Sequence, residues 1–372
     1  YHVAQAGDVV IEAVAQGIDE VRTSLSAYTL GSHVENLTVT SGGAHTLIGN
    51  NLANTVTGGT GRDTVNGAAG DDTMIGGGGN DIYYVREAGD VVIEETGAGT
   101  DIIRTIVDYV LSAHVESLRV TTATGLTVSG NELDNLLVGN LGNDTIHGLA
   151  GNDTIQAGGG DDTVYGGEGK DVVWGVGGHD VLHGEAGNDL LRGNAGDDVL
   201  HGGDGNDTLV GNIDNDSLYG GAGNDGMLGG SGDDILDGGS GDDSIKGDAG
   251  NDIISGGAGR DSIYGGSGAD TFVFDDGDSS ADRTTADRLH DFSLAQGDKI
   301  DLSAIDANTN LVGDQAFTFI GDGAFSNTAG ELRTVVIGSY TFVEGDTNGD
   351  GLADFSIRVP GTPAFAAADF VL

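Results

Sequence analysis

From Gly130 to Val273 apolar residues return every nine positions: Leu137, Ile146, Ile155, Val164, Val173 and Leu182 begin a series that ends at Phe272. Each is the middle of a three-residue segment such as Thr145-Ile146-His147, and glycine-rich stretches of six residues separate the segments. One inward side chain between two outward ones is the alternation of a strand with a single buried face. A strand this short does not bury that face alone, so its stability has to come from stacked neighbours. The span is 144 residues, sixteen nonamers without a frame break. Residues 49–84 hold four more: GNNLANTVT, GGTGRDTVN, GAAGDDTMI and GGGGNDIYY. The period predicts an all-β fold in which two nonamers make a coil of eighteen residues. Stacked coils then give two parallel sheets that face each other across the position-eight side chains.

The turns carry the chemistry. Their glycines allow the positive φ of tight turns. Position six is Asp in fifteen of the sixteen long-block nonamers: Asp144, Asp153, Asp162, Asp171, Asp180, Asp189, Asp198, Asp207, Asp216, Asp225, Asp234, Asp243, Asp252, Asp261 and Asp270. The short block adds Asp63, Asp72 and Asp81. Alternate nonamers share an edge about 4.8 Å apart, where bare carboxylates would repel and raise each other's pKa. A hard cation between them removes the conflict. An oxygen cage completed by turn carbonyls suits Ca²⁺ better than the tighter octahedron of Mg²⁺. Pairing alternate nonamers within each block predicts at most fourteen sites in the long block and two in the short one. Asn54, Asn135, Ala157 and Asp214 break the pattern, and sites there are expected to be weak or empty.

The motif GGxGxDxUx resembles the RTX repeats of haemolysins, secreted lipases and serralysin proteases, and the resemblance covers nearly the whole chain. It implies a right-handed parallel β-roll, a solenoid that binds several Ca²⁺ ions. It also implies a protein secreted to the extracellular space or cell surface of a Gram-negative bacterium. The implied partners are a type I secretion ABC transporter, its membrane fusion protein and its outer-membrane channel.

Residues 1–48 and 85–129 read as two copies of one irregular β module. YHVAQAGDVVIE (1–12) matches YYVREAGDVVIE (83–94), and HVENLTVT (33–40) matches HVESLRVT (114–121). Val9-Val10-Ile11, Val21-Arg22-Thr23 and Leu37-Thr38-Val39 are predicted strands. The modules are expected to continue the stack as longer, irregular coils. Arg22/Arg104 and Glu35/Glu116 recur in both copies and are read as a structural pairing rather than a shared active site. Tyr1 aligns with Tyr83, the eighth residue of its nonamer. A glycine-rich turn with an Asp, and a longer protein, are therefore expected upstream.

After Val273 the period stops. Residues 274–372 alternate as strands over Ala316–Ile320, Thr334–Ile337, Tyr340–Val343 and Phe355–Val359. FSLAQGDKIDLSAID (292–306) and GELR (330–333) look like the C-terminal domain of serralysins, which implies a cap on the roll and an export signal. Asp346, Asn348, Asp350 and Asp354, with Gly351, match the first half of an EF-hand loop. Ile357 stands where the bidentate Glu would be, so an acidic hairpin turn is the alternative to a Ca²⁺ site. The ending Asp369-Phe370-Val371-Leu372 is similar to the secretion signal of serralysin-like substrates.

Asp and Glu number 60 against 14 Lys and Arg, a net charge of −46. A compact fold of that charge repels itself unless cations neutralise it. The acidity, with no basic stripe, argues against nucleic acid as a partner. There is no Cys, hence no disulfide framework or thiolate metal site. No run of eighteen apolar residues is present, and Tyr1 opens no signal peptide. HExxH, GxSxG and a Cys nucleophile are all missing, and no catalytic residue is assigned. His179 and His183 mimic a zinc pair, but the frame puts one in a turn and the other on a strand. Position nine points outward, and His147, Tyr165, His183, His201 and Tyr219 form one column there. That column is either a solvated sheet face or a contact surface for another copy or a partner such as a cell-surface polysaccharide. The function these features predict is calcium-triggered folding coupled to secretion. The alternatives are a self-assembling surface-layer, adhesin or matrix protein, and the export and folding appendage of an upstream hydrolase. Polyuronate binding is disfavoured by the scarcity of basic residues.

Overall fold

The computed structural model describes residues 1–14 and 17–372. Apart from a single 3-10 turn at Ala367–Asp369, every regular element among them is a strand. No helix among the described residues is long and apolar enough to cross a membrane. The chain divides into two compact units, Tyr1–Val173 and Trp174–Leu372. Both are built as parallel β-solenoids.

In the first unit one sheet runs His2–Val3, Glu20–Thr23, Asn36–Val39, Thr55–Thr57, Thr73–Ile75 and Val91–Ile93, all parallel. A second runs Ala27–Thr29, Thr46–Ile48, Thr64–Asn66, Ile82–Val85, Ile102–Thr105, Ser117–Val120, Leu136–Val138 and Thr154–Gly159. The strands of residues 1–48 and 85–129 thus pair in the same sheets as the nonamers. Their coils are not uniformly long. Tyr83 pairs with Ile103 twenty residues on, but Ile103 pairs with Leu118 after only fifteen. Val9-Val10-Ile11 forms no strand, contrary to its pattern, and Val9 and Ile11 are 77% and 87% exposed. Arg22/Arg104 and Glu35/Glu116 do not pair with each other. Arg22 binds Glu20 and Arg104 binds the Tyr84 hydroxyl.

In the second unit the strands from Val181–Ala186 to Ser262–Ser267 are mostly six residues long. The three-residue strand predicted for each nonamer is extended because positions two and three also pair with the neighbouring coil, as Glu185 does with Gly203 and Ala186 with Asp204. Leu182, Leu200, Leu218, Leu236, Ile254 and Phe272 line one inner face and Leu191, Leu209, Met227, Ile245 and Ile263 the other, each at most 3% exposed. Burying each such side chain stabilises the stack by roughly 2 kcal/mol. Lys299–Ala304 continues the roll alongside Thr271–Asp275. Glu331–Ile337, Tyr340–Asp346 and Phe355–Pro360 then form an antiparallel sheet, joined to the roll through Arg288–Leu289. Its core is aromatic: Phe317 meets Phe355 edge-on, and Phe365 packs on Phe292 and Phe370.

From Leu149 onward the turns of the long block use positive φ at two places per nonamer. Position four is nearly always glycine, such as Gly205 at 135°. From Leu149 to Gly266 position two is positive whatever the residue, including Leu149, Val176, Glu185, Asn194, Asn212 and Asp248 at 72–92°.

Candidate metal centre

The position-six residues form two buried ladders, one along each edge. Within each unit the backbone amide of one Asp donates to Oδ1 of the Asp eighteen residues later, at 2.6–3.0 Å. This fixes one carboxylate oxygen. The other, Oδ2, is buried with no hydrogen-bond partner in Asp72, Asp81, Asp153 and every ninth residue from Asp198 to Asp270. Each of these side chains is at most 2% exposed.

First glycines explain how the oxygens converge. A Cβ on Gly202 would collide with Asp207 Oδ2 and the Gly220 carbonyl, and one on Gly238 with Asp243 Oδ2 and the Gly256 carbonyl. The missing side chain lets a carboxylate and a carbonyl of the next coil share one small space. Nitrogen and sulfur ligands are absent from this set, which suits a hard cation.

Burial drives the carboxyls upward, and neighbouring carboxylates add to it against the amide hydrogen bonds. Asp216 and Asp261 are pushed up to about 8, and Asp153, Asp198 and Asp252 to about 7. Carboxylates held this way demand either protons or a cation.

Where the ladder lacks Asp, the protein supplies its own donors. Asn54 Nδ2 donates to the Val34 and Glu35 carbonyls at 3.1 and 3.2 Å. Asn135 Nδ2 reaches Val115 O and Asn131 Oδ1 at 3.5 and 3.2 Å. His45 occupies the rung nine before Asn54. Its Nδ1 lies 2.8 Å from Asp63 Oδ1 and its Nε2 2.9 Å from Ser41 Oγ. With Gly59 N on Oδ2 at 2.7 Å, Asp63 has both oxygens satisfied. Asn140 N does the same for Asp144 Oδ2 at 3.2 Å. An N–H sits in these rungs where Asp72, Asp81, Asp153 and the rungs from Asp198 to Asp270 leave a bare oxygen, an arrangement that a hard cation would satisfy.

The ladder also outruns the two blocks. Asp90, Asp101, Asp287 and Asp298 accept from the amides of Asp72, Asp81, Asp261 and Asp270 at 2.7–3.2 Å. The spacing of eighteen could have found Asp90. The other three are displaced by insertions that lengthen the coil, so a fixed period misses them. At Asp101 the rung is set from the module: Glu116 Oε2 accepts its amide at 2.8 Å, as Glu35 does for Asp19. Ala157 keeps its coil in place and is fully buried. Asp214 takes the position-four turn at φ 76°.

The loop 346–354 joins two antiparallel strands. Asp346 accepts from the Gly349 and Gly351 amides at 2.6 and 2.9 Å, Asn348 from Asp350 N at 2.9 Å, Asp350 from Leu352 N at 2.8 Å, and Asp354 from Thr347 N at 2.7 Å. These oxygens accept from the loop's own amides and close it as a tight turn. His179 lies in a turn and His183 on a strand. In the outward column the His147 and Tyr165 rings stack at 4.8 Å, His183 and His201 at 4.8 Å, and His201 and Tyr219 at 4.9 Å. Burial lowers the pKa of His183 and His201. Of the tail, Phe370–Val371 pairs with Lys299–Ala304 and Phe370 is buried.

A parallel roll with glycine turns and edges of buried carboxylates is a calcium-binding β-roll. The RTX calcium-binding nonapeptide repeat matches residues 48–83, 129–173 and 174–280 in overlapping sets, just over half of the chain. The chain belongs to the RTX calcium-binding repeat family. Among solved structures it is similar to two repeat subunits of a mannuronan C5-epimerase from Azotobacter vinelandii. The AlgE6R2 subunit is 30% identical, with 40% of this chain and 88% of that one covered and a TM-score of 0.30. The AlgE6R3 subunit is 32% identical, covering 44% and 80%, with a TM-score of 0.24. No curated protein matches the chain.

Proposed function

We propose that this chain is the calcium-folded region of an exported protein, unfolded where Ca²⁺ is scarce and assembled where it is abundant. The observation that carries the reading is the row of buried Oδ2 atoms without partners. Without a cation the roll confines charge it has no means to satisfy, and with one the binding energy becomes folding energy. The net charge of −46 works in the same direction by expanding the cation-free chain. The tail supports the export half. Phe370, in the segment similar to a secretion signal, is packed against Phe319 and Phe365. A signal placed there is legible before folding and hidden after it.

The test has a folding arm and an export arm. In excess chelator the full chain should give a disordered circular dichroism spectrum, and in millimolar Ca²⁺ a β spectrum, with Mg²⁺ a poor substitute. A β spectrum that survives chelation at pH 8, where the ladder carboxyls are charged, would refute calcium-dependent folding. Deleting Asp369 to Leu372 should leave the chain in the cytosol of a host with a type I machine, and wild-type export of the truncated chain would remove the export half.

A further inference from the structure

One cluster in the first unit departs from the ladder rule. Glu94 follows Gly76 by eighteen residues, so it occupies the place of a first glycine. Its side chain turns inward to the ladder instead of leaving the space open. One oxygen each of Asp81, Glu94 and Asp101 lies within 4.8 Å of the other two. The three side chains are 0%, 8% and 0% exposed. Asp81 Oδ2, Glu94 Oε2 and Asp101 Oδ2 have no hydrogen-bond partner. Their other oxygens are held by Asp63 N at 2.6 Å, by the Tyr83 hydroxyl, and by Asp81 N at 2.7 Å. Among the described residues no Lys, Arg or His forms an ion pair with any of the three.

Tyr83 explains why the glutamate points in. It fills the position-eight core place of its nonamer and is fully buried, so its hydroxyl needs an acceptor in the interior. The first module copy repeats the pair, with the Tyr1 hydroxyl donating to Glu12. There the tyrosine is 52% exposed.

We infer that Asp81, Glu94 and Asp101 form a three-carboxylate Ca²⁺ site, with Tyr83 positioning Glu94, and that it fills at lower Ca²⁺ concentration than the two-carboxylate rungs of the nonamer ladder. The inference rests on the calcium reading of the repeats and adds a ligand that the nonamer motif does not contain. A third carboxylate raises the ligand charge around a dication, and charge count is a principal control of Ca²⁺ affinity. Burial pushes Glu94 up to about 7 and Asp81 up to about 6, and the Asp101 carboxylate adds to both shifts. The cluster therefore carries a strong drive to acquire positive charge.

Calorimetric titration of the full chain with Ca²⁺, with native mass spectrometry to count ions, tests the site. Glu94→Gln keeps the size and the acceptor for Tyr83 but removes the charge. It should weaken the tightest phase roughly tenfold, whereas Asp216→Asn should weaken only the later phase. Glu12→Gln should change neither. Tyr83→Phe, which keeps all three carboxylates, should weaken the tight phase by a smaller factor and guards against a Glu94→Gln variant that does not fold. An unaltered tight phase in both Glu94→Gln and Tyr83→Phe, with the ladder still filling, would overturn the inference and leave Glu94 a hydrogen-bond partner of Tyr83. A wild-type chain that takes up no Ca²⁺ would overturn this site together with the calcium reading.

Discussion

The two module copies share the run Ala-Gly-Asp-Val-Val-Ile-Glu, at 6–12 and 88–94, and fold it differently. The turn is the same in both. Asp8 Oδ2 accepts from the Ala4 and Gln5 amides at 3.3 and 3.1 Å, and Asp90 Oδ2 from the Arg86 and Glu87 amides at 2.8 and 3.1 Å. The strand is not. Val91–Ile93 pairs with Thr73–Ile75 and buries Val92, while Val9-Val10-Ile11 stays unpaired. The second copy rests on the strand Thr73–Ile75 eighteen residues before it, and among the described residues the segment of the first copy pairs with none. Turns of this protein are therefore local, made by an Asx-type side chain on nearby amides. Strands are conditional on the coil beneath them.

The largest test of that conditionality is to change the charge that every coil confines. Asp216 and Asp261 have folded values of about 8 against the ordinary 3.8. The folded calcium-free roll therefore holds protons that the unfolded chain releases. Its stability is fully present below about pH 4 and is lost progressively as pH rises from there through about 8. In chelator, β content should be greater at pH 5 than at pH 8. With Ca²⁺ the dependence reverses, because protons compete for the same oxygens, and the Ca²⁺ midpoint should rise as pH falls. Equal disorder at both pH values in chelator, with a pH-independent Ca²⁺ midpoint, would break the argument.

A smaller effect separates the two copies directly. Val92→Ala removes a buried side chain from a paired strand and should cost about 2 kcal/mol in the Ca²⁺-loaded chain. Val10→Ala, at the matching place in the first copy, should change stability by no more than about 0.5 kcal/mol. Thermal unfolding in saturating Ca²⁺ reads both. Equal losses would mean that Val9-Val10-Ile11 is paired in solution and that the contrast between the copies is false.

The same distinction explains what could be read from the sequence. The repeat period placed Ile146, Leu200 and Phe272 in the core and Asp198 and Asp216 on the ladder, because one residue type recurs in one environment. Asp101, Asp287 and Asp298 escaped it because their coils are lengthened, and the partner is set by stacking rather than by count. His45 was illegible as a ladder residue because an imidazole stands there in place of the recurring carboxylate. Val9-Val10-Ile11 was read as a strand because alternation reports which face could be buried, not whether a neighbour exists to bury it. The recurrence of Glu35 and Glu116 was visible. Their target, the amide of Asp19 or Asp101, was not, since a backbone donor leaves no trace in residue type.

The finest test asks how far stacking overrules local preference inside the repeats. Val176 stands at position two with φ 92° and is 47% exposed. A β-branched residue is poorly suited to that region, and the left-handed conformation costs about 1–2 kcal/mol for an ordinary L-residue. Glycine takes it without that cost, as Gly203 and Gly221 do at 108° and 106°, but loses about 0.5–1 kcal/mol more backbone freedom on folding. Val176→Gly removes little buried surface, so the strain term should dominate. The expected outcome is a gain of about 0.5–1 kcal/mol in the Ca²⁺-loaded state, read as a higher thermal midpoint. The gain arises in the folded roll, so the cation-free chain should keep its disordered spectrum. A loss of stability would show that the valine contributes packing on the turn surface greater than its strain, and that position two is chosen by the stack rather than imposed on it.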